Sequence, residues 1–293
     1  MNQLSLYDST QEQRVINVAS VPQRSPFRYP GGKTWLVPHI RRWLRSLSTR
    51  PAEMIEPFAG GGIVSLTAVF ENLTAHATMV EIDDQVAAVW QTILSMENSA
   101  WLAEQIVGFQ MSAESVNSCL SHTSEDTRTT AFQTLLRNRV YHGGILANGS
   151  GLIKLGENGK GLHSRWYPDT LRKRIVSINA HKNKITFIHG DGMRVLTENA
   201  HRTDAVFFID PPYTAAGKKA GARLYNHCTL DHQELFHIAS MLRGDFLMTY
   251  DNSEAIVEMA HKHGFQTRLV AMTNTHHAVM NELLIGRNLD WVR

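Results

Sequence analysis

The run Ala205 to Ile209, AVFFI, is apolar without a break and stops at Asp210, Pro211, Pro212 and Tyr213. An uninterrupted apolar run of this length predicts a strand buried on both faces, as in a parallel sheet covered by helices. Pro211 has no amide hydrogen and Pro212 fixes its own φ, so the strand cannot continue past them. The residue before each proline is pushed out of the helical region, which leaves a stiff, extended exit. Shorter runs predict strands at Met54 to Glu56, Thr78 to Val80 and Ile185 to His189, with others ending near Tyr250 and covering Gln266 to Ala271 and Glu282 to Ile285. Helical spacing places Trp35, Leu36, Ile40, Trp43, Leu44 and Leu47 on one broad apolar face, and helices are also predicted at Ile63 to Phe70 and Ser253 to Lys262. The pattern is that of an α/β fold.

With 293 residues, the chain holds one large domain, or a domain with a substantial insertion. The first 22 or so residues read as a loosely ordered arm without the apolar core of a signal peptide. No run of 18 apolar residues is present, so no membrane span is expected. Cys119 and Cys228 are far apart and lack metal-ligand spacing, which fits a reduced, intracellular protein. The 15 histidines include no HExxH, and no metal site is expected.

Candidate chemistry sits at strand ends. Asp210 ends a strand on the side where open α/β sheets bind their ligands. Gly60, Gly61 and Gly62 form a tight turn between a strand and a helix, which lets a ligand lie against the helix N-terminus. Glu81 ends the next strand about twenty residues on and supplies an acceptor for a ribose diol. That spacing serves a dinucleotide or S-adenosylmethionine equally. The GGKT at Gly31 to Thr34 is not a nucleotide-binding P-loop, because position 27 is Phe27 where that motif needs glycine. Lys33 instead starts a helix and is placed to face an anionic ligand.

Taken in order, PFRYPGGK, IEPFAGGG, VEID, HGDGM and FFIDPPY resemble the Dam-like, D12 class of DNA adenine N6-methyltransferases, over nearly the whole chain from Phe27. The resemblance implies a Rossmann-like methyltransferase sheet with an inserted, largely helical DNA-recognition region, and S-adenosylmethionine as methyl donor. Residues 23–94 and 185–293 would form the catalytic domain, and 95–184 the insertion. Asp210, Pro211, Pro212 and Tyr213 match the catalytic tetrapeptide. Cofactor contacts are implied for Tyr29, Lys33, Glu56, Pro57, Phe58, Gly60, Gly62, Glu81, Asp191 and Asp210. Many relatives have aspartate where this chain has Glu81. The Asp210 carboxylate and the Pro211 carbonyl would accept both N6 hydrogens of adenine, and Tyr213 would stack on a base flipped out of the duplex.

Charge supports the position of the insertion. Leu135 to Lys184 holds ten basic residues against two acids, a net +8 in a chain whose total is +2. Such polarisation is expected where phosphates are bound. Arg137, Asn138, Arg139, Tyr141, His142, Gly143, Lys160, Arg165 and Tyr167 are the candidate DNA contacts, with Trp166 a further aromatic available to wedge or stack. Double-stranded DNA is the expected partner of a monomer or weak dimer in the cytoplasm of a prokaryote, or encoded by a phage, near the nucleoid. Two other readings of the same residues stand beside this one: an RNA adenine or guanine amino-methyltransferase, and a catalytically silent DNA-binding homologue.

Overall fold

The computed structural model describes residues 20–28, 32–144, 146, 151–156, 159–212, 230–273 and 279–292. Tyr29, Tyr213 and most of the N-terminal arm lie outside the described residues. Among the described residues no helix is long and apolar enough to cross a membrane.

Seven strands form one sheet: β1 (Glu53–Glu56), β2 (His76–Glu81), β3 (Ile185–His189), β4 (Ala205–Ile209), β5 (Phe246–Asp251), β6 (Gln266–Thr273) and β7 (Val279–Gly286). Their spatial order is β3-β2-β1-β4-β5-β7-β6. Strands β1 to β5 pair in parallel, and β7 runs antiparallel to both β5 and β6. The chain moves outward from β1 to β3, then returns to lay β4 against the other side of β1. The carboxyl ends of β1 and β4 therefore flank the point where the order reverses, where such sheets bind ligands. All five residues of β4 are buried, as the unbroken apolar run predicts.

Helices cover both faces. On one, α8 (Gly192–Asn199), α9 (His232–Met241) and α10 (Glu254–Lys262) pack on Ile55, Phe207, Ile209, Met248 and Leu283. On the other, α1 (Val37–Ser46) and α2 (Ile63–Phe70) pack on Met54, Val206, Phe208, Leu247 and Leu284. The apolar face read from Trp35 to Leu44 is buried there, although the segment opens as a 3-10 turn over Lys33–Leu36 before α1 begins.

Between β2 and β3 the chain builds α3 (Asp84–Leu94), α4 (Met96–Gly108), α5 (Ala113–Ser121), α6 (Thr127–Val140) and α7 (Pro168–Asn179). The starts of α3 to α6 are set by side-chain caps, since Asp83 accepts from Gln85 and Val86 amides, Ser95 from Asn98, Ser112 from Ser115 and Asp126 from Thr129, whereas α7 opens on Pro168. Trp90 and Ile93 of α3, Leu102 and Ile106 of α4, Leu135 and Leu136 of α6, and Leu171 and Ile175 of α7 share one core with Ala77 and Met79 of β2. The helical segment thus has no separate core. The end of α7 is tied to the junction of α3 and α4, since the Asn179 side-chain amide donates to the carbonyls of Ile93 (2.7 Å) and Ser95 (3.0 Å).

Candidate active site

Four neighbouring parallel strands bring their carboxyl ends to one edge, and each delivers a polar group. β1 ends in Glu56, β2 in Glu81, β3 leads into Asp191 and β4 into Asp210.

The glycine turn after β1 is shaped by close contacts. Gly62 has φ +60°, and a Cβ there would lie 2.6 Å from Met79 Cε and 2.9 Å from Trp90 Cζ2. No other residue fits without displacement. The Gly60 carbonyl accepts from the Trp90 indole (2.9 Å), while its amide donates to Glu81 Oε2 (2.9 Å). The other Glu81 oxygen accepts from the amides of Ile82 (2.9 Å) and Asp83 (3.0 Å). Burial raises the Glu81 pKa above the ordinary glutamate value, against the pull of these amides. The carboxylate is thus locked at the turn's mouth, a stance suited to receiving a diol.

Glu56 does different work. Its carboxyl is buried and accepts from the amide of Ser65 (3.0 Å) and from the Ser65 hydroxyl, so it satisfies the first turn of α2 from across the turn. Burial pushes its pKa up to about 8, with Asp210 and Glu81 adding like-charge repulsion. The Ser65 bonds oppose the rise. Glu56 is therefore chiefly protonated at neutral pH. Pro57 is buried, and Phe58 packs with the α8 and α9 side of the core.

Asp191 is exposed and caps α8, accepting from the Met193 amide at 2.9 Å. Next to it, Gly192 touches the β1 loop so closely that a Cβ would lie 2.0 Å from the Pro57 carbonyl oxygen. The β1 and β3 ends are joined at that point.

Asp210 is held from two sides. The Thr249 hydroxyl donates to Oδ1 at 2.7 Å, and Lys33 Nζ lies 2.9 Å from the same oxygen. Lys33 is 6% exposed and also reaches Glu282 Oε1 at 3.2 Å. Lys33, expected at a ligand, thus faces the acid at the end of β4. Pro211 is buried and Pro212 is half-buried.

The candidate DNA contacts divide. Asn138 and Arg139, expected at DNA, are buried and hold backbone of the segment before Lys33. Asn138 accepts from the Arg28 amide (2.8 Å) and donates to the carbonyls of Arg28 (3.0 Å) and Gly144 (2.8 Å). Arg139 donates to the Pro26 carbonyl, and Arg174 to that of Ser25 (2.9 Å). These side chains replace a missing strand or helix partner for residues 25–28, a role set by the backbone's need for hydrogen bonds. Trp166 is likewise buried, edge-on to Phe109, and does not stand ready to wedge. Arg137 donates to Gln85 of α3. His142, Gly143, Lys160 and Tyr167 are exposed, and Tyr141 and Arg165 are half-buried. Burial, then the charges of Arg174, Arg28 and Arg165, lowers the Arg139 pKa to about 9. Four guanidiniums therefore gather beside the segment that leads to Lys33.

Thr249, Glu282, Gly192 and Ser65 are absent from the sequence-derived site. A charge within the apolar strand VMNELLIG, and a threonine within FLMTY, were the available signals, since a buried polar group needs a partner.

Among known proteins, residues 29–134 match the family model of the D12 class N6 adenine-specific DNA methyltransferases. The match includes Lys33, Glu56, the glycine turn and Glu81, and ends before Asp210. No curated protein matches the chain. Solved structures of similar shape include PH1948 of Pyrococcus horikoshii, with TM-score 0.42 and 11% identity, covering 92% of this chain and 93% of that one. Another is yhhF of Escherichia coli, with TM-score 0.36 and 10% identity over 87% of each chain. A third is TrmK of M. capricolum in complex with S-adenosyl-homocysteine, with TM-score 0.38 and 8% identity, covering 85% and 68%. Likeness at this level adds nothing to the strand order and says nothing of activity.

Proposed function

We propose that the chain is a DNA adenine N6-methyltransferase that uses S-adenosylmethionine. The observation that carries the reading is the anchored Asp210, followed by two prolines, at the carboxyl end of β4 beside the strand-order reversal. The family match over 29–134 supports methyl transfer from the other half of the same cleft.

The residues present fit the cofactor. The glycine turn is held tight by the close packing of Gly62 on the buried Met79 and Trp90, and the Glu81 carboxylate stands at its mouth as an acceptor for the ribose hydroxyls. When bound, the cofactor supplies an electrophilic methyl on a sulfonium. The chain's task is then to aim a weak nucleophile. The adenine N6 lone pair is delocalised into the ring, and acceptors on its two hydrogens favour a tetrahedral nitrogen. Asp210 and the Pro211 carbonyl supply them in our reading. Methylation would make the N6 amine more acidic, and a carboxylate fixed at Asp210 would stabilise that change more than the ground state and would stand as the nearest acceptor for the proton the amine releases. Thr249 and Lys33 hold the carboxylate where it is needed, which limits the loss from misalignment.

A duplex adenine must leave the stack to reach this edge, at a few kcal/mol. The exposed His142, Lys160 and Tyr167, with Arg165, form the surface we assign to DNA. The test is transfer of labelled methyl from S-adenosylmethionine to unmodified duplex DNA, with nucleoside analysis of the product. N6-methyladenine is expected from the native protein and not from Asp210→Ala. Methylation of RNA alone would replace the DNA reading with an RNA one. No transfer to either, with the cofactor demonstrably bound, would refute both.

A further inference from the structure

We infer that Glu282 is a positioning residue that fixes the Asp210 carboxylate through Lys33, an inference that rests on the proposed function. The register brings the three groups to one face. Ile209 pairs with Met248, so Asp210 falls beside Thr249, while Asp251 on β5 pairs with Glu282 on β7. Side chains alternate along a strand. Val206, Phe208, Leu247 and Leu284, on that same alternation, lie in the core beneath α1. Asp210, Thr249, Asp251 and Glu282 therefore share the α1 face at the rim, and Lys33 meets them from the turn that opens α1.

Glu282 is 4% exposed within an apolar strand. A carboxylate in such a position costs several kcal/mol unless an opposite charge and hydrogen bonds compensate. Lys33 is that opposite charge, 3.2 Å away, and the same ammonium lies 2.9 Å from Asp210. A lysine alone is a poor anchor, because its four-carbon stem is flexible and its ammonium is a point charge with rotatable donors. Gripped by Glu282 on a strand of the sheet, the ammonium has a fixed position and passes it on to Asp210. Glu282 needs no contact with substrate or cofactor to act in this way.

The experiment is a double-mutant cycle on the full chain. Glu282→Gln and Lys33→Met, both near-isosteric, are made singly and together, and single-turnover methyl transfer to duplex DNA is measured at saturating S-adenosylmethionine. Cofactor affinity is measured in parallel by calorimetry. Glu282→Gln is expected to slow transfer by about ten- to hundredfold, the range for a lost charge-assisted hydrogen bond. Its cofactor affinity should stay within about twofold of the native value, and in the Lys33→Met background it should add less than about twofold. Equal losses in both backgrounds would show that Glu282 does not act through Lys33. A loss confined to cofactor affinity would make it a cofactor contact. Either result overturns the inference, as does a Glu282→Gln protein as fast as the native one. If the native protein itself transfers no methyl to DNA, the proposed function has failed instead, and the inference with it.

Discussion

Glu56 offers a quantitative prediction, because its carboxyl is buried behind the glycine turn and its pKa is pushed from 4.5 to about 8. A group whose pKa is raised on folding favours the folded state fully below its unfolded value, and that contribution is lost as pH rises through the folded value. Each unit of difference corresponds to about 1.4 kcal/mol, so the window from 4.5 to about 8 spans about 5 kcal/mol. Glu56→Gln keeps an oxygen to accept from the Ser65 amide but cannot ionise, so it removes the pH dependence while leaving the cap on α2. Urea unfolding of the native and variant proteins would be compared from about pH 5 to about pH 9. The native protein's stability relative to the variant should fall by about 4 kcal/mol between about pH 5 and about pH 8, then level off. Curves that stay parallel within about 1 kcal/mol would mean that Glu56 is ionised in the folded protein. The reasoning from burial would then be wrong.

Gly192→Ala places a methyl 2.0 Å from the Pro57 carbonyl oxygen, where only backbone can give way. Spreading the β1 and β3 ends should weaken S-adenosylmethionine binding by about tenfold or more in calorimetry. Asn138→Ala removes three hydrogen bonds, one from the Arg28 amide and one each to the carbonyls of Arg28 and Gly144. At about 1 kcal/mol per bond the loss is about 3 kcal/mol, read as a thermal midpoint lower by roughly 5 to 10 °C with any sequence preference on DNA unchanged. Arg165→Ala should weaken binding alike on all duplex sequences and reduce the slope of log affinity against log salt by about 1, measured by fluorescence anisotropy.

The parts of the fold written in apolar pattern were legible. Ile185–His189, Ala205–Ile209 and Ile63–Phe70 begin and end where their side chains predict, and in Ala205–Ile209 burial on both faces leaves little choice of register. The last strand extends beyond Glu282 to Ile285, since an antiparallel partner recruits less apolar residues such as Asn281 into the ladder. Within the site, the strand-end acids could be found because sheet topology sends them to one edge. The buried roles of Asn138 and Arg139 could not. Their partners, Pro26 and Arg28, lie more than a hundred residues away, and polar side chains carry no local sign of whether they serve water, a ligand or distant backbone. The link from Lys33 to Glu282 was hidden for the same reason: each reads as an ordinary charge until the sheet sets them face to face.

That link also bears on the order in which the protein comes off the ribosome. Lys33 is made before Asp210, and Asp210 before Glu282, so a polypeptide halted between β2 and β4 has the glycine turn without the grip on its acid. Even a chain that reaches Asp210 lacks the strand that steadies Lys33.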